Sequence, residues 1–202
     1  MRWVLALGFA VGVLGSTARA NAAEPVLRPW EISGRVGYAV GNLSSLSAVP
    51  LGVDLGYRLS PRWSLGVYGG LDFAQHADDA EDADEVIKAK RYRVGVEAVF
   101  HFPIERRIEP WIGLGMGFEA LRGATELSST WPTPYFSSRP YRADGLELLN
   151  LQLGFDVLVS SVFVLGPYLS GSVVTYRNQQ GVPASEDFYF WGTIGVKGTL
   201  RL

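Results

Sequence analysis

The stretch that most constrains this chain is Phe188–Leu202, FYFWGTIGVKGTLRL. Phe188, Phe190, Gly192, Ile194, Val196, Gly198, Leu200 and Leu202 fall on one parity. Tyr189, Trp191, Thr193, Gly195, Lys197, Thr199 and Arg201 fall on the other. Successive side chains of a strand point to opposite faces, so one face is apolar and the other is polar, charged or small. The run is long for a strand of a soluble domain. It suits a strand that crosses a bilayer, which needs roughly 9–11 tilted residues.

The same pattern recurs seven times upstream. Alternating runs cover residues 30–41, 49–59, 63–73, 91–102, 108–121, 145–159 and 162–176. In each, the apolar parity is continuous and the other carries glycine, serine and charge; residues 162–176 alternate least cleanly. The connections alternate as well: moderate, short, long, short, very long, short, long. Ser60-Pro61-Arg62 and Ser160-Ser161 read as tight turns. Short turns on one side and longer loops on the other are the layout of bacterial outer-membrane barrels, with the short turns in the periplasm. A soluble sandwich also alternates but explains neither the one-sided loops nor a polar set that faces inward. The expected fold is therefore all-β: an eight-stranded antiparallel up-and-down transmembrane β-barrel over residues 24–202.

Composition agrees with dispersed apolar residues. Hydrophobic residues make up 48% of the chain, yet beyond the N-terminus no apolar run approaches the roughly 20 residues of a membrane helix. Residues 1–20 read as a signal peptide: Arg2, an apolar core from Trp3 to Leu14, and the A-x-A site Ala18-Arg19-Ala20. Ala22 and Ala23 are alternative cut sites. An uncleaved N-terminal anchor fits less well, because the apolar run is short and small residues follow it. Export to a bacterial outer membrane is the expectation. A net charge of −2 argues against a nucleic-acid partner. The absence of cysteine excludes a disulfide scaffold, a thiol nucleophile and a cysteine zinc site.

The segment Glu109-Pro110-Trp111-Ile112-Gly113-Leu114-Gly115-Met116-Gly117 resembles the P-aromatic-x-G-x-G-x-G strand of OmpA-like and OmpW-like barrels, and Gly166-Pro167-Tyr168 echoes it. The resemblance covers the layout of the whole mature chain. It implies an outer-membrane barrel, and the OmpW-like side of it implies a narrow passage for small or hydrophobic solutes. The chain departs from the family at its end, with Leu202 where Phe or Trp is usual. No stretch resembles a periplasmic peptidoglycan-binding domain, so a cell-wall role is not carried over. Outer-membrane lipid, lipopolysaccharide and the outer-membrane assembly machinery are the expected partners, with a monomeric barrel and no cofactor.

Candidate chemistry lies on the inward parity. Its acids are Glu31, Asp54, Asp72, Glu97, Glu119 and Asp156; its bases are Arg35, Arg58, Arg93, Lys197 and Arg201. Counting along alternating strands puts Glu31, Arg58, His101, Asp156 and Arg201 near the periplasmic end. Arg35, Asp54, Glu97 and Lys197 fall at mid-height, and Asp72, Arg93 and Glu119 toward the outside. Each layer mixes both signs, so Glu31 is expected beside Arg201, Asp72 beside Arg93, and the middle cluster is expected to act as a plug. The glycines at 113, 115 and 117 are expected to make room for Trp111 and Tyr68.

Hydrolysis needs a serine beside a histidine base. No His-x-Ser surrounds His101, which reads as a lumen polar residue. His76, beside the acidic run Asp78–Glu85, reads as solvated. That run lacks calcium-loop spacing. No enzyme is expected. Residues 74–90, 122–144 and 177–187 read as external loops, and Trp131–Tyr141 as either a recognition loop or a lid.

Overall fold

The computed structural model describes residues 28–42, 47–78, 84–102, 107–129, 135–180 and 187–202. The strands are β1 (Trp30–Gly41), β2 (Ser47–Arg58), β3 (Trp63–Asp78), β4 (Asp84–His101), β5 (Ile108–Ser129), β6 (Tyr135–Leu158), β7 (Phe163–Gln180) and β8 (Tyr189–Arg201). Each pairs antiparallel with its chain neighbours, and β1 pairs with β8, so the sheet closes. The seam is sealed by Trp30 and Leu202, whose amides donate to each other's carbonyls. Closure matters because an unpaired amide in hydrocarbon costs several kcal/mol.

The alternation read from the sequence decides which side chain meets which medium. Outward are Trp30, Val53, Val67, Val94, Met116, Phe118, Leu151, Phe155 and Ile194, all exposed. Inward are charged, hydroxyl and amide side chains that are buried. Such an apolar outer surface would aggregate in water and is at home in lipid. At the end carrying the short turns, Trp30 stacks edge-on to Tyr57 and Trp63 to Phe100, both with centroids 5.0 Å apart, and Phe102 continues the belt. In both short turns a serine cap closes the chain. Ser60 Oγ accepts from the Trp63 amide and Ser160 Oγ from the Phe163 amide, each at 3.1 Å.

Three loops are shorter than their composition suggests. Residues 74–90 were expected as a loop, but β3 continues to Asp78 and β4 begins at Asp84, paired through Asp78↔Glu85. Within 122–144, β5 and β6 stay paired out to Ser129↔Tyr135. β7 runs on to Gln180. A hairpin, once registered, extends its ladder wherever the backbone can, because backbone bonding is indifferent to the polar side chains that hide the strand pattern. The signal segment 1–23, residues 79–83 and residues 130–134 lie outside the described residues, as do the side chains of His76, of residues 135–139 and of Tyr141.

Toward the end carrying the long hairpins the lumen is apolar. Ala39, Ala48, Ala74 and Ala89 are direct register partners across β1 to β4. Their small side chains leave the space that Tyr176, Tyr189 and Trp191 fill from β7 and β8.

Candidate functional site

The site is the lumen between this apolar cap and the short turns. At the end carrying the short turns, Arg58 Nε donates to Glu31 Oε1 and Arg58 Nη2 to Glu109 Oε1, both at 2.8 Å. Arg201 Nη2 donates to Glu109 Oε2 at 2.7 Å, and its Nε lies 3.2 Å from Glu31. Asp156 sits 3.5 Å from Arg201 and accepts from Trp111 Nε1 at 3.1 Å. β1, β2, β5, β6 and β8 are tied together in this one layer.

At mid-height Arg35 reaches across the barrel. Its Nε donates to Asp54 Oδ2 and its Nη1 to Gln152 Oε1, both at 2.6 Å, and its Nη2 lies 3.0 Å from Glu97 Oε2. One guanidinium thereby joins β1 to β2, β4 and β6, which uses the fixed fork of five donors that arginine alone offers. Gln152 Nε2 closes the ring on Glu97 at 3.0 Å. Lys197 completes the layer, its ammonium 4.5 Å from the centroid of Trp111.

Toward the end carrying the long hairpins, Asp72 binds Arg91, its register partner across β3 and β4. Arg93 lies beside Asp72 as expected, in a second and longer ion pair at 3.5 Å. A strand's inward residues recur every second position, so Arg91 and Arg93 both face Asp72 and the ladder gives the closer place to Arg91. Glu119 accepts from Tyr176 Oη and lies 3.6 Å from Arg91. Arg91 and Asp72 are both 0% exposed, and Arg91 Cζ lies 3.9 Å from the ring centroid of Trp191, beneath the apolar cap.

The structure adds three charged residues that the alternation did not single out: Arg91, Glu109 and Glu147. The first two share parity with neighbours already counted as inward. Glu147 does not. Along β6, Asn150, Gln152 and Asp156 face in, so an unbroken strand would turn Glu147 to lipid. A bulge at Leu148 intervenes, where Gly115↔Asn150 is followed by Gly117↔Glu147. Leu148 and Leu149 both face out and Glu147 is 1% exposed. It accepts from Tyr68 Oη at 2.6 Å and Asn150 Nδ2 at 2.9 Å. A bulge inserts one residue and flips parity beyond it.

The glycines act as small partners for large inward rings, with one change of pairing. A Cβ on Gly115 or Gly117 would stand 3.1 or 2.9 Å from Tyr68. Trp111 takes its room from Gly154, its register partner on β6, where a Cβ would meet the indole at 2.7 Å.

His101 is buried at the short-turn end, with Nε2 3.3 Å from Ser64 Oγ. Glu109 Oε1 lies 3.0 Å from its Nδ1. Serine, imidazole and carboxylate are thus brought together by strands that are distant in sequence, which no local motif could announce. Arg58 Nη2 lies 3.2 Å from the same Nδ1. Nδ1 thus stands between a group that can only donate and a carboxylate that can only accept. Ser64 itself is 4% exposed.

Between the middle and outer layers a cavity of about 20 Å³, room for one water, is lined by Arg35, Asp54, Tyr68, Arg93 and Asn150 among others. Asn150 Oδ1 and Arg93 Nε, both buried, have no partner among the described residues. A water there can accept from one and donate to the other.

No family model matches the chain, and no curated protein matches it. Among solved structures it is similar to Neisserial surface protein A, with a TM-score of 0.60 at 14% identity over 86% of this chain and 97% of that one. It is also similar to a major outer membrane protein from Thermus thermophilus, with a TM-score of 0.55 at 13% identity over 85% and 99%. At such identities the likeness is one of fold. The class it defines is the small, closed, eight-stranded up-and-down barrel of bacterial outer membranes.

Proposed function

We propose that this protein is an outer-membrane barrel with a closed, ion-paired lumen, exported by its N-terminal signal, whose role is structural or one of surface interaction. The observation that carries this reading is Arg35, bonded at once to Asp54, Glu97 and Gln152 from three other strands. A solute following the axis has to break these bonds together. The OmpW-like alternative, a narrow solute passage, requires that the layer open. Catalysis is disfavoured by the burial of Ser64. Planar-bilayer recording decides between the first two. The closed barrel gives no steady unitary conductance, and Arg35→Ala opens one. Steady channels in the unmodified protein would overturn the reading.

A further inference from the structure

Just outside the apolar band, the outward face carries a row of cations built from three different strands. Lys90 on β4 is the register partner of Arg122 on β5, and Arg122 is the register partner of Arg142 on β6. The inward positions next to them are Ala89, Leu121 and Ala143, all buried, so the three cations point away from the lumen. Arg142 is 61% exposed and Arg122 34% exposed at the side chain. Lys90 leans over Phe73, its ammonium 5.9 Å from the ring centroid. One residue-pair closer to the membrane centre lie Tyr92 and then Phe118 on the same face. Among the described residues a single acid, Asp144, bonds both arginines, so these three cations share one countercharge.

We infer that Lys90, Arg122 and Arg142 form a docking site for the phosphate groups of a phosphorylated lipid of the outer leaflet, of the lipid A kind. The argument is one of height and chemistry. Neighbouring strands are about 4.8 Å apart, so three adjacent cations span about 10 Å. They stand directly above rings that mark the edge of the hydrocarbon, where lipid phosphates lie. Guanidinium forks hold phosphate oxygens in pairs, and lysine adds a mobile point charge. Acyl chains of the same lipid run down the exposed Val94, Met116 and Phe118. A row of cations facing sideways into the bilayer edge has no use for a partner arriving from the medium.

This inference rests on the outer-membrane reading proposed above, with the long hairpins facing outward. Its test is retention of diphosphoryl lipid A by the folded barrel in detergent, read by native mass spectrometry. Heat-modifiable gel migration serves as the check on folding. The unmodified protein is expected to retain lipid A. The variant Lys90→Ala/Arg142→Ala is expected to fold and to bind on the order of tenfold or more weakly, since each cation near an anionic lipid surface contributes about a factor of five. Arg62→Ala, an exposed cation at the opposite end, is expected to bind like the unmodified protein. Lipid A stripped of phosphate is expected to bind weakly, and inorganic phosphate at matched ionic strength should leave the complex intact. Equal retention by the double variant, or equal binding of dephosphorylated lipid, overturns the site while leaving the barrel standing. Displacement by inorganic phosphate overturns the assignment to a lipid. Loss of heat-modifiable migration in the unmodified protein would instead overturn the barrel reading itself.

Discussion

The two ends of the lumen use the same residue types in opposite surroundings. At the short-turn end Arg58, Arg201, Glu31 and Glu109 share several bonds, and their side chains keep between 9% and 21% exposure. At the long-hairpin end Arg91 and Asp72 are wholly buried under Trp191 and the alanine row, and Arg91 Nη1 finds Glu119 only at 3.6 Å. The comparison teaches that paired charges are not equivalent. A pair with water nearby can lose a partner and be resolvated. A pair sealed from water cannot, and the charge left behind carries the full desolvation penalty.

This difference sets an order of effects. The largest is expected for Arg91→Ala, which takes the closest cation from Asp72 and Glu119 in a dry layer, leaving Asp72 only the longer pair with Arg93, and should cost about 3–5 kcal/mol. Urea unfolding in lipid vesicles, followed by tryptophan fluorescence, measures it. Replacing the trio together, Arg91→Met with Asp72→Asn and Glu119→Gln, should recover most of the loss. A cost below about 1 kcal/mol for Arg91→Ala would show that water reaches this layer.

Next come Arg35→Ala and Glu97→Ala, which break the middle ring. Arg35 keeps 10% side-chain exposure and touches the small cavity, so partial rehydration should hold the cost to about 2–4 kcal/mol. The same variants should raise bilayer conductance, and stability lost without conductance gained would mean that another layer closes the axis.

Arg201→Ala at the short-turn end should cost about 1–2 kcal/mol, because Arg58 still serves Glu31 and Glu109. Its effect should shrink in high salt more than that of Arg91→Ala. A cost equal to that of Arg91→Ala would erase the distinction between the two ends. The smallest effect belongs to Arg142→Ala outside the barrel. Its bond to Asp144 is exposed and should be worth under about 1 kcal/mol in the same unfolding assay. A larger loss there would mean that the external hairpin is part of the cooperative unit.

The alternation of residue types determined much of this molecule. Apart from the β6 stretch beyond its bulge and the strand extensions read as loops, it placed the lipid and lumen faces, from Trp30, Ile32 and Val36 outward to Glu31 and Ser33 inward, because the pleat is a local property with a period of two. It also placed the serine-capped turns and the strand count. What escaped it depended on how strands slide and bulge against each other. Arg91 lies at a strand end that the pattern barely marks, and only the β3–β4 register sets it opposite Asp72. Leu148 looks ordinary in the sequence, yet as the bulged residue it turns Glu147 from lipid to lumen. Ser64, His101 and Glu109 meet only because β3, β4 and β5 close around one axis. Lys90, Arg122 and Arg142 are scattered along the chain and become one row only through register. Which medium a side chain meets is written in its neighbours along the chain; which partner it meets is decided by bonds between strands, and these follow from barrel closure as a whole.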